Sequence, residues 1–385
     1  MRASPASAPP RLLIVGAFPP PHRRVIGGIV TCCKELMGSS LPQRAELVLV
    51  DSTQATQPPP PLAVRMLVSA RRFVRYIAAF ERARPSAVLL FVAMGASALE
   101  KGAMAWYARL RGTPAVLLPR CEPPQGDPAV RWRRALHAFC YRGAARIICQ
   151  GSAWQRFAVD ALGLREADAP VIRNWTATPA LLALGRGKAA RPPERPVRLL
   201  FVGWVEREKG IFELVEAARR LAATHRFELA VVGDGTVRPH AEAMAAQHGL
   251  ASAVRFLGWL DRDGVAAQLA AADVFVLPSW KEGLPNSMIE AMCARLAVVV
   301  SGVGNIPDTV TDGEDALVVP PHDPAALAAA LARVIDDAAL RERLAANGFR
   351  LAEREFGLEN AVQGILDTVR DCAAAPAATA PGTPR

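Results

Sequence analysis

Two carboxylates and the turn between them are the part of this chain best suited to chemistry. The stretch Ser279-Trp-Lys-Glu-Gly-Leu-Pro-Asn-Ser-Met-Ile-Glu290 follows an apolar strand pattern, Asp273–Pro278, and runs into a helical pattern, Ser287–Arg295. Glu282 falls in the loop, and Glu290 falls eight positions later, inside the helix. The first turn of a helix carries backbone N–H groups without intrahelical partners and a positive dipole end. That combination suits a phosphate. A carboxylate on either side of it can hold sugar hydroxyls, so the layout is the one a nucleotide-sugar site needs.

Three more loops end strand patterns in the same half. Gly203-Trp-Val-Glu-Arg-Glu-Lys-Gly210 sets Lys209 at the start of a helical pattern, Ile211–Ala223. There its ammonium either reaches a diphosphate as a point charge or is a surface lysine in a turn. Gly233-Asp-Gly235 permits close backbone approach, and by itself marks only a turn. Gly258-Trp-Leu-Asp-Arg-Asp263 contains an Asp-x-Asp pair of the kind that holds Mg²⁺. The pair also fits the cap of a helix over Val265–Ala272, and that reading is adopted here.

These loops need a frame. In the second half, Arg198–Gly203, Glu228–Gly233, Val254–Gly258, Asp273–Pro278, Leu296–Ser301 and Ala316–Pro320 read as short buried strands separated by helical periods. The first half repeats the theme over Arg11–Gly16, Glu46–Asp51, Ala87–Ala93, Ala115–Leu118, Ala145–Gln150 and Val171–Arg173. Strand–helix alternation means a parallel sheet covered on both faces. The fold class is therefore α/β, two doubly wound Rossmann-like units, and ligands of such sheets bind at the carboxyl ends of the strands. The expected organisation is a disordered N-terminus over 1–10, a first unit over 11–180 and a linker over 181–196. A second unit follows over 197–350, then a C-terminal helix over 351–372 returning to the first unit and a disordered tail over 373–385.

Bulk properties narrow the classes. At 385 residues and 51% apolar content, two globular domains are expected. No apolar run is long enough to span a bilayer, and the N-terminus makes a poor leader, so a cytoplasmic chain is expected. Seven scattered cysteines without a C-x-x-C pair suit reduced thiols. Charge is uneven: residues 1–195 carry 28 basic and 11 acidic groups (+17), and residues 196–385 carry 18 and 25 (−7), together the +10 of the whole. A basic first half suits anionic partners or is a set of solvated arginines.

In order and spacing, Phe201-Val-Gly…Lys209-Gly, Val232-Gly-Asp-Gly235, Phe256-Leu-Gly258, Pro278-Ser…Glu282-Gly-Leu-Pro-Asn-Ser-Met-Ile-Glu290-Ala-Met and Asp312-Gly…Leu317-Val-Val-Pro320 resemble glycosyltransferase family 4, the retaining GT-B enzymes also called group 1. The resemblance is strong over about residues 197–335 and weaker before. It implies a GT-B fold with its two units facing a central cleft, a UDP- or GDP-linked sugar as donor, acceptor binding by the first unit, and neither cofactor nor obligatory metal. It implies that Lys209 binds the donor diphosphate, and that Glu282 with the N–H groups of Gly283 and Leu284 faces the transferred sugar and the phosphates. Glu290 would hold the ribose hydroxyls. Gly233, Asp234, Gly235, Leu260 and Asn286 complete the donor set, and Gly27-Gly28, after the first strand, is the implied glycine pair that meets the phosphates. Asn174 matches a structural asparagine.

Two positions depart from the family pattern. Trp204 stands where an arginine is usual, which leaves Arg207 as a substitute on the diphosphate. After the strand ending at Leu118-Pro-Arg120-Cys-Glu122 the usual histidine is missing, and Arg120 and Glu122 become the acceptor-side candidates. With retention, the departing diphosphate collects the growing negative charge. Lys209 and the helix start at Leu284–Ser287 would stabilise it.

Arg65–Arg82 interleaves arginines with apolar residues at helical spacing, and Arg131-Trp-Arg-Arg134 adds a second basic stretch. Such a helix lies on an anionic membrane or packs as an ordinary amphipathic helix. With the membrane reading, a polyprenyl-diphosphate-linked glycan of bacterial surface polysaccharide is the expected acceptor. A non-catalytic GT-B-like protein that binds a nucleotide sugar or glycan is the alternative. Gly233-Asp-Gly235 does not continue as the dinucleotide fingerprint, and no nucleic-acid module is present.

Overall fold

The computed structural model describes residues 9–20, 27–53, 61–93, 95–121, 123, 131–189 and 194–374. Glu122 lies outside them, as do most of the expected N-terminal and C-terminal tails. The chain divides into two units, 1–173 with 358–385, and 174–357.

The first unit contains β1 (Arg11–Gly16), α1 (Gly28–Met37), α2 (Leu41–Arg44), β2 (Glu46–Asp51), α3 (Leu62–Ala83), β3 (Ala87–Val92), α4 (Ala96–Leu110), β4 (Ala115–Pro119), α5 (Arg131–Tyr141), β5 (Arg146–Ile147) and α6 (Ser152–Asp160). Its strands are parallel in the order β2-β1-β3-β4-β5. All residues of β3 and β4 are buried, which is why both read as continuous apolar runs. Order reverses between β1 and β3, so the crevice of this sheet opens at the carboxyl ends of those two strands.

The second unit contains α7 (Pro179–Arg186), β6 (Val197–Val202), α8 (Ile211–Ala222), β7 (Phe227–Val232), α9 (Arg238–Gln247), β8 (Val254–Gly258), α10 (Arg262–Ala271), β9 (Val274–Leu277), α11 (Asn286–Cys293), β10 (Ala297–Ser301), β11 (Leu317–Val319), α12 (Pro324–Asp336) and α13 (Ala338–Glu355). Its parallel strands run β11-β10-β9-β6-β7-β8. The reversal here lies between β6 and β9. These are the two strands whose following loops carry Lys209 and Glu282. The Asp261 side chain accepts the Gly264 N–H at 2.9 Å and caps α10, as its position suggested.

Three expectations need correction. The stretch 181–196 is not simply a linker: α7 occupies its start, the chain enters the second unit at Asn174, and Leu181, Leu182 and Leu184 pack against that unit's core. Its Ala/Gly/Pro/Arg composition conceals three leucines at helical spacing. The strand expected over Ala145–Gln150 shrinks to Arg146–Ile147, and Val171 forms only a single bridge with Cys149. The C-terminal helix, α14 (Leu358–Ala374), starts after a break at Phe356–Gly357 and belongs to the first unit. There Glu359 accepts hydrogen bonds from the Ser40 backbone and hydroxyl, and Arg44 donates to Gln363 at 2.6 Å.

All seven cysteines are free thiols. Among the described residues, no helix is long and apolar enough to cross a membrane.

Candidate functional site

Lys209 and Glu282 meet. The Lys209 Nζ donates to Glu282 Oε1 at 2.6 Å, and the Ser279 hydroxyl donates to the same oxygen at 2.7 Å. Adjacent strands bring the two residues together, because β6 pairs directly with β9. Lys209 ends a short 3-10 turn, and Gly210 then starts α8 in a left-handed conformation, φ +71°. A Cβ on Gly210 would stand 1.9 Å from the Pro278 carbonyl oxygen, so the two strand-end loops touch backbone to backbone only because this residue is glycine. The Trp280 N–H donates to the Glu208 carbonyl at 2.8 Å and ties them further.

Glu282 is nearly buried, with its side chain 8% exposed, while Lys209 is 26% exposed. The pair is thus open on the lysine side. Behind Glu282 runs the loop after β10: Gly304, at φ +61°, would put a Cβ 1.8 Å from the Glu282 carbonyl oxygen, and the Asn305 N–H donates to the Gly283 carbonyl at 2.9 Å.

Immediately after Gly283 and Leu284, Pro285 leads into α11, which has neither a side-chain cap nor an acidic residue in its first turn. Within its own first turn α11 therefore sets no carboxylate against its dipole. Asn286 opens the helix. Its Oδ1 accepts from the Asn174 Nδ2 at 2.7 Å and the Thr176 hydroxyl at 3.2 Å, while Asn174 also donates to the Leu284 carbonyl at 2.8 Å. Asn286 is thereby a positioning residue for the helix start. Glu290 stands one turn further along the same face, half-buried. Burial pushes the neighbouring Cys293 thiol up to about 12, with the Glu290 charge adding to the effect, so this thiol stays protonated.

The loops after β6, β7 and β8 brace one another. The Val205 N–H donates to the Asp234 carbonyl at 2.9 Å, and the Gly233 N–H donates to the Gly258 carbonyl at 2.8 Å. A Cβ on Gly233 would come within 1.8 Å of the Gly203 oxygen, and one on Gly235 within 2.2 Å of the Val205 oxygen. Gly233 and Gly235 permit this backbone contact, a packing role beyond the turn that their spacing marks. The Asp234 carboxylate accepts the Gly235 N–H at 2.8 Å and lies 3.5 Å from Arg238. Leu260 is half-buried against the core.

Trp204 packs on Trp259, ring centroids 5.5 Å apart. The Arg207 guanidinium lies over the Phe212 ring, 5.3 Å from its centroid. Trp280 stacks on His322 at 4.3 Å, and His322 holds a left-handed φ of +60°. Sequence reasoning assigned no role to Ser279, Gly304 or the Trp280–His322 stack. Ser279 stood in the quoted Pro-Ser motif, and only its spacing to Glu282 hinted at the bond.

In the first unit, Gly27 precedes α1, which has no side-chain cap and no acidic residue in its first turn. A Cβ on Gly27 would meet nothing within 4 Å. Among the described residues, no packing contact calls for glycine there. Arg120 is turned inward: its guanidinium lies over Phe91 at 5.9 Å and near Cys32 and Cys33 of α1, and burial pushes its pKa down. Among the described residues no three His, Cys, Asp or Glu side chains converge as a metal site.

The profile of the group 1 glycosyl transferases matches residues 187–351, and that of the glycosyl transferase 4-like domain matches residues 29–175. The chain belongs to the group 1 glycosyl transferases. Among curated relatives of this group 1 chain are the glycogen synthase of Mycobacterium tuberculosis, 37% identical over 41% of this chain and 38% of that protein, and the lipopolysaccharide core biosynthesis glycosyltransferase LpsE of Rhizobium meliloti, 34% identical over 51% and 56%. The chain thus spans about half the length, or less, of these relatives. The sucrose-phosphate synthase structure from Thermosynechococcus elongatus superposes with a TM-score of 0.75 over 95% of this chain and all of that one, at 21% identity. Anabaena HepE, solved with UDP-glucose, gives 0.69 over 94% and 100%, at 18% identity. The fold is GT-B.

Proposed function

We propose that this protein is a retaining glycosyltransferase that moves a sugar from a UDP- or GDP-linked donor to a glycan acceptor. The observation that carries this reading is the Lys209–Glu282 pair, set at the strand-order reversal of the second sheet beside the uncapped start of α11. The relatives' names support sugar transfer as the class, and the HepE complex supports a nucleotide sugar as the kind of ligand.

In this reading the donor diphosphate lies against Lys209 and the amino end of α11. Glu282, fixed through Oε1 by Lys209 and Ser279, faces the transferred sugar, and Glu290 holds the ribose hydroxyls. As the glycosidic bond breaks, charge collects on the leaving phosphate. The ammonium and the N–H groups of the first turn are already aimed there, so no reorganisation is spent at that moment. The leaving phosphate accepts the acceptor's proton. Transfer then requires no divalent metal, and EDTA leaves its rate unchanged.

The acceptor falls to the first unit, and a lipid-linked glycan fits its exposed basic α3. A purified-protein assay with UDP- and GDP-sugars tests the reading. Glu290→Ala should reduce transfer about 10- to 100-fold, the scale of losing a charged hydrogen bond of about 1.5–3 kcal/mol. Near-wild-type turnover by folded Glu290→Ala protein would sink the assignment.

One observation favours a second reading, a GT-B protein that binds a nucleotide sugar without turning it over. Trp204 stacks on Trp259 where an arginine was expected, and Arg207 packs on Phe212. Saturable nucleotide-sugar binding with neither hydrolysis nor transfer would select it.

A further inference from the structure

A cavity of about 360 Å³ lies at the opposite edge of the second sheet from Lys209 and Glu282, at the amino ends of β9 and β10. Lys188, Arg295 and Arg341 line it, together with Asp273 and Glu342. Three cations against two carboxylates leave a formal excess of one positive charge. Among the described residues, Ala189, Ala338 and Ala345 complete the lining.

We infer that this cavity is a second anion site, built to take the phosphate group of a small ligand, either inorganic phosphate or a sugar phosphate. Its cations are held in place before any ligand arrives. The Lys188 Nζ donates to the Ala272 carbonyl at 2.7 Å, which aims the ammonium inward and leaves two of its three protons for other acceptors. Arg341 is anchored by the carbonyls of Val334 and Ile335, at 2.6 and 3.2 Å, and Arg295 pairs with Glu342. Burial pushes the Lys188 ammonium down to about 8; Asp273 and Glu342 pull it up, and Arg295 adds to the depression. An anion seated among these groups relieves that desolvated charge.

Arg295 supplies the second argument. It follows α11 at φ +57°, a left-handed conformation that arginine adopts at a cost and glycine adopts freely. A large cation is kept where the backbone favours no side chain, and strain of this kind points toward a site. The Asp273 Oδ2 is engaged by the Arg198 N–H at 2.9 Å, while Glu342, whose Oε1 pairs with Arg295, has a second oxygen to offer the hydroxyl of a phosphorylated sugar.

The site also has a mechanical link to the start of α11. Lys188 follows α7 and Arg295 follows α11. The two helices touch at their carboxyl ends, where a Cβ on Gly185 would lie 2.2 Å from the Cys293 carbonyl oxygen. At their amino ends, Asn174 and Thr176 hold Asn286. Asn286 and Cys293 are the two ends of the eight-residue α11, about 10 Å apart.

The test is thermal unfolding of the full chain titrated with inorganic phosphate and, separately, glucose 6-phosphate, at constant ionic strength set with chloride. The midpoint should rise saturably with at least one of them. Lys188→Met and Arg295→Gly should each weaken that response at least tenfold in apparent Kd. Arg295→Gly keeps the fold because glycine suits φ +57°. Lys209→Met, which disables the other phosphate site, should leave the response in place. A tenfold preference for glucose 6-phosphate identifies a sugar phosphate as the ligand, and equal affinity identifies the phosphate group alone. The inference is overturned if wild-type protein shows no saturable response, if both cavity variants respond as wild type does, or if Lys209→Met abolishes the response. None of these outcomes depends on sugar transfer.

Discussion

Glu282 serves two purposes that a single substitution would confuse. Its carboxylate is a candidate sugar contact, and it is also the counter-ion that holds Lys209 across 73 positions of sequence. Breaking a buried pair by removing one partner costs about 3–5 kcal/mol, and with Lys209 a quarter exposed the expected loss for Glu282→Ala falls to about 2–3 kcal/mol, read by urea denaturation. Lys209→Met separates the two roles, since it keeps the aliphatic stem. Turnover should fall about 100- to 1,000-fold, the scale of losing one preorganised transition-state contact. A Lys209→Met enzyme within threefold of wild type would show that the ammonium does not stabilise the leaving group. The residues of this site were legible as types and spacings. Their partnership was not, because it depends on β9 lying next to β6, and strand order is not written in local periodicity. Arg207 shows the same limit: Phe212, five positions on, offers its guanidinium a ring, a contact that the spacing did not announce.

Among the elements, the strand-end loops are where local sequence and tertiary contact agree most closely. Gly233 combines φ +134° with a Cβ position 1.8 Å from the Gly203 oxygen, whereas Gly249, at φ +70°, has nothing within 4 Å. Alanine at Gly249 meets only backbone strain, about 1–2 kcal/mol. Alanine at Gly233 must also force two loops apart, so its cost should exceed about 4 kcal/mol, a size reserved for a named steric or packing fault. Thermal or chemical unfolding of the two variants checks the contrast. Equal losses would mean that the loops after β6 and β7 can separate without penalty. Gly and apolar runs made these elements readable. The short β5 and the helix inside the expected linker were not readable, the first because a continuous apolar run does not state how much of it finds a neighbour, the second because three leucines are diluted by alanine, glycine and arginine.

At the scale of the molecule, the basic first half acquires a location. α3 is anchored in its second half by buried Tyr76 and Phe80, with the Tyr76 hydroxyl donating to the Met104 carbonyl at 3.0 Å. Its first half is largely exposed, including Met66 at 65% and Leu67 at 71%, with Val64, Val68, Arg65 and Arg71 also outward, and exposure continues at Val74 and Arg75. Apolar side chains and arginines exposed on one helix, with Glu81 its lone acid, match the chemistry of an anionic bilayer surface. Each arginine near such a surface contributes about 1 kcal/mol, and burying Leu67 in the acyl boundary contributes about 1.5–3 kcal/mol. Wild-type protein should therefore sediment with phosphatidylglycerol vesicles and far less with phosphatidylcholine ones. Raising salt from 0.1 to 1 M shortens the screening length from about 10 to about 3 Å, so binding should weaken without disappearing. Arg65→Gln with Arg71→Gln should reproduce the salt effect, at about 2 kcal/mol or some 30-fold in partition coefficient. Leu67→Ser should remove the fraction that salt leaves behind. If wild-type protein ignores anionic vesicles at low salt, or if these variants partition as it does, α3 is an ordinary amphipathic helix and the lipid-linked acceptor loses its support.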